Sequence, residues 1–152
     1  IFQRIGEEYP LVEKEYLYSD AAAQALVQRP WHFDILVMEN FLGDLLSDLG
    51  GGTIGGLGMC PSGNYGDHVA YFEPIHGSAP DIMGKGVANP LSQILSAAMM
   101  LDYLKEEEAA RMVQKAVWSA LASGDLAIQA NGQPIGGSRA ATKTVLAHLG
   151  QP

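Results

Sequence analysis

Tyr71-Phe72-Glu73-Pro74-Ile75-His76-Gly77-Ser78-Ala79-Pro80-Asp81-Ile82-Met83-Gly84-Lys85-Gly86-Val87-Ala88-Asn89-Pro90 is the stretch from which the rest of the chain can be read. It gathers Gly77, Gly84 and Gly86 with Pro74, Pro80 and Pro90 around three polar side chains, His76, Asp81 and Asn89. Glycine permits backbone angles and close approaches that a Cβ forbids, and proline fixes the chain locally. Polar groups held on a rigid open loop suit a ligand that carries a base, sugars and phosphates. Just upstream, 69–72 reads as a strand that leads into the loop. Downstream, Asn89-Pro90 reads as a helix start, a capping side chain followed by proline at the first helical position.

From this loop the pattern extends in both directions. Leu91, Ile94, Leu95, Ala98, Met99, Leu101 and Leu104 recur at helical spacing on its far side. A second helix is expected over about 106–122, with Met112, Val113, Ala116, Val117 and Leu121 on its apolar face, and a last one over about 138–149. Met99, Met100 and Trp118 read as core residues. Upstream, residues 50–67 hold eight glycines and read as a loop or closely packed strand ends. Before them the sequence predicts a helix ended by Pro10, a short strand over 11–18 and a helix capped by Asp20 and closed by Pro30. A buried strand over 33–38 and a helix over about 43–49 follow. Alternating strands and helices define an α/β class.

The composition narrows the function. A chain of 152 residues with 47% hydrophobic and 17% charged residues can fold around a real core. Nine basic against 17 acidic residues leave a net charge of −8 and no basic surface for nucleic acid. No apolar stretch is long enough to span a bilayer, and the first residues do not resemble a signal peptide. The single cysteine, Cys60, cannot form an internal disulfide, so a cytoplasmic setting is expected and Cys60 reads as a small apolar filler. A start at Ile1, within a predicted helix, reads as a processed or partial polypeptide.

Asp44 and Asp48 lie four apart on a predicted helix and therefore share a face, at a small cost in repulsion. They follow a predicted buried strand, where α/β proteins commonly place ligand residues. Hard cations such as Mg²⁺ seek such carboxylate oxygens, and Asp20 starts another helix after another strand.

Three stretches in one order, 34–48 (Asp-Ile-Leu-Val-Met-Glu-Asn-Phe-Leu-Gly-Asp-Leu-Leu-Ser-Asp), 56–67 (Gly-Leu-Gly-Met-Cys-Pro-Ser-Gly-Asn-Tyr-Gly-Asp) and 71–90, resemble the isocitrate/isopropylmalate dehydrogenase family, the β-decarboxylating dehydrogenases. Ile94–Leu104 continues the likeness. The resemblance implies an isopropylmalate dehydrogenase-like fold, not a classical Rossmann one, represented by its C-terminal half. Residues 1–55 would belong to a dimerisation and metal-binding domain and 56–152 to an NAD-binding domain. It implies that Asp20, Asp44 and Asp48 bind Mg²⁺ or Mn²⁺, with Asp20 reaching across a homodimer. It also implies that His76 and Asn89 contact adenine, that Asp81 holds the adenosine ribose hydroxyls and that Glu73 lies near the nicotinamide ribose. Gly77, Ser78 and Ala79 complete the cofactor set. NADP-using relatives carry Lys-Tyr where this chain has Asp81-Ile82, which favours NAD.

The implied reaction is metal-dependent oxidative decarboxylation of a 2-hydroxy acid of 3-isopropylmalate type, with hydride transfer to NAD, within a longer chain or complex. Isocitrate, homoisocitrate and tartrate are the alternative substrates, and a non-catalytic nucleotide-binding or assembly remnant is the alternative role. No catalytic residue is identified in this part. The family's substrate arginines and its catalytic tyrosine and lysine have no counterpart here. Phe41-Leu42 and Met83 depart from the usual family residues without removing a ligand.

Overall fold

The computed structural model describes residues 1–150, which form six α-helices and one two-stranded antiparallel sheet. In order these are α1 (Phe2–Gly6), α2 (Ser19–Gln28), α3 (Asn40–Thr53), β1 (Pro61–Tyr65), β2 (Ala70–Pro74), α4 (Leu91–Tyr103), α5 (Glu107–Ala122) and α6 (Gly137–His148). Short 3₁₀ turns occupy Pro30–His32, Leu57–Met59 and Pro80–Ile82. The chain divides into two compact units, Ile1–Leu49 and Gly50 onward, so the division falls inside α3. None of the described helices is long and apolar enough to cross a membrane.

In the first unit two expected strands are absent. Residues 11–18 and 33–38 run without regular secondary structure, because a strand exists only where a second one takes up its hydrogen bonds. Side chains hold the first segment instead. Lys14 Nζ donates to the carbonyls of Gly6 and Tyr9 at 2.8 and 3.2 Å, and Glu15 pairs with His32 at 3.0 Å. The run at 33–38 is not buried either: Ile35 is 82% and Val37 70% exposed. Helix α2 begins two residues earlier than expected, with Tyr18 and not Asp20 at the cap position, and Asp20 sits in its first turn with Oδ1 accepting from the Ala21 N–H at 2.8 Å. Helix α3 also starts early. The Glu39 carboxylate accepts from the Phe41 and Leu42 N–H groups at 2.9 and 2.8 Å, satisfying donors at a helix end that favours negative charge.

The second unit holds the main core. Met59, Leu91, Leu95, Ala116, Val117, Ala120, Leu126, Ala141 and Val145 form one buried cluster, drawn chiefly from α4, α5 and α6. Most of the expected faces of α4 and α5 therefore pack inward, but Leu104 and Met112 from those faces are exposed, and Trp118, at 54% exposed, is a surface residue, as is Met100. Strand β1 emerges from the glycine-rich stretch and pairs with β2 in the register Ser62↔Glu73 and Asn64↔Tyr71. Side chains directly opposite share a face. Ser62, Asn64, Tyr71 and Glu73 therefore make one polar face, and Phe72 lies on the other, in tilted contact with Tyr103 of α4 at 5.7 Å.

Two polar details of this unit bear on stability. Ser92 is fully buried and its hydroxyl has no partner; the carbonyl four residues back, Ala88, accepts from Ser138 instead. At the far end of α6, His148 Nε2 donates to Asp125 Oδ2 at 2.9 Å, and Ser123 Oγ donates to the same oxygen at 3.0 Å.

Each yields an expected outcome in thermal or chemical unfolding. Ser92→Ala should leave stability within about 1 kcal/mol of the wild type or raise it, because it removes an unsatisfied buried group. Leu91→Ala, by contrast, should cost about 2–5 kcal/mol. The hydrogen bond from His148, with that from Ser123, holds the Asp125 carboxyl below its ordinary value of 3.8. The stability it contributes is thus fully present above that value and lost as pH falls through the depressed one. Asp125→Asn should flatten this acid limb; an unchanged acid unfolding curve would contradict the link.

Candidate functional site

Between β2 and α4 the chain forms a loop whose two ends are fixed and whose middle is open. Its upstream end is held where the Ile75 N–H donates to the Cys60 carbonyl at 3.3 Å. In the middle, Ala79 adopts a left-handed backbone, φ 44° and ψ 60°, immediately before the turn Pro80–Ile82. A non-glycine residue there carries strain, which persists where the surroundings dictate the backbone and which recurs at ligand sites. A Cβ built on Gly77 meets nothing within 4 Å.

The side chains of this loop divide into two kinds. His76, Ser78 and Asp81 are presented outward or partly outward. His76 Nδ1 lies 2.9 Å from the Gly77 carbonyl. A carbonyl only accepts, so Nδ1 carries the proton and Nε2 of the neutral ring is left as an acceptor. Ser78 and Asp81 are exposed, and the Asp81 carboxylate has no hydrogen-bond or ion-pair partner among the described residues. Asn89, by contrast, faces inward and is only 9% exposed. Its Nδ2 donates to the Gly132 carbonyl at 3.2 Å and lies 3.6 Å from Met59 Sδ, and its Oδ1 accepts from the Leu91 N–H at 3.1 Å. The side chain of Asn89 is a structural brace and helix cap, which leaves only its backbone for a ligand.

Glu73 lies beside the loop on the polar face of the hairpin. Its backbone carbonyl accepts from Ser96 Oγ at 2.7 Å, and its carboxylate accepts from the Tyr71 hydroxyl at 3.1 Å. That hydrogen bond and the nearby negative charge raise the Tyr71 phenol above its usual value. Tyr71 is a neighbour of the site that motif reading passed over; its two-residue spacing from Glu73 on a strand is the signal that could have found it.

In the first unit, Asp44 and Asp48 share a face of α3. Both carboxylates are exposed and make no hydrogen bond or ion pair among the described residues. Hard, unspent oxygen donors of this kind fit a divalent cation. The described residues contain no group of three or more His, Cys, Asp or Glu side chains placed to hold a metal, so one chain does not assemble Asp20 with the other two. Gly50, Gly52 and Gly55 have the spacing of a Rossmann phosphate turn. They lie at the end of α3 and just beyond it, however, not between a strand and a helix. A shallow groove of about 290 Å³ is lined by Ser138, Arg139, Thr142, Lys143 and Leu146 of α6.

Residues 1–145 match the family model described as isocitrate/isopropylmalate dehydrogenase. The chain is 58% identical over 115 residues to the isocitrate/homoisocitrate dehydrogenase of Thermus thermophilus, covering 76% of this chain and 34% of that protein. It is 42% identical over 155 residues to the NADP isocitrate dehydrogenase of the same organism, covering 99% of this chain and 31% of that one. Among solved structures, isocitrate dehydrogenase from Methylococcus capsulatus superposes with a TM-score of 0.89 at 37% identity, over 98% of this chain and 44% of that chain. The chain thus spans about a third of the length of the curated relatives it matches.

The brace at Asn89 can be tested without any ligand. A Cβ on Gly58 would stand 2.6 Å from Asn89 Cβ and 3.2 Å from its Nδ2, so Gly58→Ala must displace that side chain. Loss of its hydrogen bonds should lower the melting temperature and speed exchange of the Leu91 amide, and native exchange in that variant would refute the role.

Proposed function

The chain belongs to the isocitrate/isopropylmalate dehydrogenase family, and from that premise we propose that it forms the dinucleotide-binding and metal-binding part of a dehydrogenase that oxidises and decarboxylates a 2-hydroxy acid. The single observation that carries this reading is the open loop that presents His76, Ser78 and an unpartnered Asp81 between fixed ends. The work is proposed to be shared with a longer chain or a partner.

When bound, the nicotinamide ring would accept the hydride and the divalent cation would act as a Lewis acid on the substrate's oxygens. The part played by this chain's own residues follows from their chemistry. Asp81 accepts hydrogen bonds from the two free hydroxyls of an adenosine ribose and repels a 2′-phosphate by like charge, which favours NAD over NADP. His76, with Nε2 as acceptor, suits the exocyclic amine of adenine, while the backbone of Asn89 supplies the other edge. Glu73, its backbone tied to Ser96 and its carboxylate to Tyr71, offers acceptors to the nicotinamide ribose. Exposed backbone N–H groups of Gly77, Ser78 and Ala79 suit the diphosphate.

Asp44 and Asp48 offer two carboxylates to Mg²⁺ or Mn²⁺, and Asp20 of a second copy is proposed to complete the set. The substrate is proposed to be a malate derivative of the 3-isopropylmalate or homoisocitrate type, with isocitrate and tartrate as the other acids to assay. A dinucleotide-binding remnant without catalysis is the second reading, favoured by one fact, that no catalytic acid or base is identified among these residues.

Two measurements test the proposal on the natural full-length polypeptide that carries this sequence. With Mn²⁺ and each of the four acids in turn, NADH should form from NAD faster than NADPH from NADP. Asp81→Lys should move the ratio toward NADP by about tenfold or more, the equivalent of one charge-assisted interaction. Dinucleotide binding without turnover of any acid would support the remnant. Metal affinity should also weaken on dilution if Asp20 acts across a dimer; an affinity independent of protein concentration would sink that arrangement.

A further inference from the structure

The loop from Ile75 to Pro90 is joined to the rest of its unit unevenly. Within it, hydrogen bonds are local: Ile82 N–H to the Ala79 carbonyl, Met83 N–H to Pro80 and Lys85 N–H to Ile82, at 3.1, 3.2 and 3.1 Å. Cβ atoms built on Gly77, Gly84 and Gly86 meet nothing within 4 Å, so the loop is open on the side where side chains would stand. The contacts that fix its direction lie at the downstream end and come from the start of α6. The Ser138 N–H donates to the Gly86 carbonyl at 2.8 Å, and the Ser138 hydroxyl donates to the Ala88 carbonyl.

This approach is so close that a side chain at the preceding residue is excluded. Gly137 has φ +81°, and a Cβ there would stand 2.5 Å from the Gly86 carbonyl oxygen. A third tie comes from the turn before α6, whose Gly132 carbonyl accepts from Asn89. That turn is in turn seated on glycines, since a Cβ on Gly132 would lie 3.3 Å from the Gly55 carbonyl oxygen.

We infer that Gly137 and Ser138 are positioning residues for the loop that presents His76, Ser78 and Asp81. They set its backbone from the downstream end, through the carbonyls of Gly86 and Ala88. The inference rests on the proposed dinucleotide role only for its functional consequence. With the clamp in place, the loop meets its ligand already ordered. Loosened, it must be ordered at the moment of binding, and affinity falls by the fraction of time it spends out of place.

Lys85, exposed in the turn between Gly84 and Gly86, supplies a readout that needs no nucleotide. In the natural full-length chain, limited trypsin digestion should cut after Lys85 about fivefold faster in Ser138→Ala than in the wild type, the shift expected for one lost hydrogen bond. Ser138→Thr, which keeps the donor, should return the rate toward normal, and the overall melting curve of Ser138→Ala should remain cooperative. If Ser138→Ala does not fold, Ser138→Cys, with a weaker donor of similar size, carries the same expectation. An unchanged rate of cleavage at Lys85 in a folded variant overturns the inference. NAD should protect Lys85 in the wild type, and the KM for NAD should rise in Ser138→Ala by a similar factor against a kcat that moves less. Faster cleavage without any protection by NAD would leave the clamp standing and remove the dinucleotide reading instead.

Discussion

The buried amide of Asn89 is the joint on which the second unit depends. One side chain ties together the 3₁₀ turn at Met59, the turn at Gly132 and the first free N–H of α4. Each of these segments must come close enough to reach a single short side chain, and that requirement explains the glycines around it. Gly58 faces Asn89 across a gap too small for a Cβ, and a Cβ on Gly56 would stand 3.5 Å from the Gly132 Cα. A buried amide left without partners costs more than its hydrogen bonds contribute when made, so the arrangement is satisfied as a whole or lost as a whole. Cooperative fixing of this kind lets an exposed loop of glycines and prolines hold one direction.

The same joint separates polar groups spent inside the fold from those left open at the surface. Asn89 is spent internally, and Ser96 and Ser138 use their hydroxyls on the backbone of Glu73 and Ala88. Asp81, Ser78, Asp44 and Asp48 keep their oxygens unpaired at the surface. In an acidic chain, carboxylates left without partners are common, so exposure alone says little. The contrast within one loop says more. The residues that brace it are turned inward and fully bonded, and the residues beside them are turned outward with acceptors to spare.

Much of this was legible in the sequence, and the reasons for the failures are physical. The helix start at Asn89-Pro90 and the apolar periodicity of α4 and α5 depend on local geometry, and they are found close to where expected. Strands are different, because a strand is a property of a pair. Residues 11–18 and 33–38 have suitable composition but no partner among the described residues. Ser62-Gly63-Asn64 has poor β-propensity yet is a strand because β2 lies beside it. Helix α3 ran past its expected end for a similar reason. Gly50, Gly51 and Gly52 are weak helix formers, but a Cβ on Gly51 would crowd Leu57 and Cys60 at 3.0 and 3.1 Å, and Thr53 Oγ1 donates back to the Gly50 carbonyl. Packing set the local state against propensity.

For the site, motif resemblance singled out this loop but could not assign its atoms. It named Asn89 as a ligand contact without distinguishing side chain from backbone, and only the inward hydrogen bonds make that distinction. It passed over Tyr71 and Ser138, which act through Glu73 and Gly86 and carry no signature of their own. Residues of that kind are tied to the site by geometry alone: one by the two-residue repeat of a strand, the other by a contact fifty residues distant in sequence. A motif records which side chains face the ligand. The constraint that makes them face it lies in neighbours such as Gly137, whose contribution is the absence of a side chain where the Gly86 carbonyl must pass.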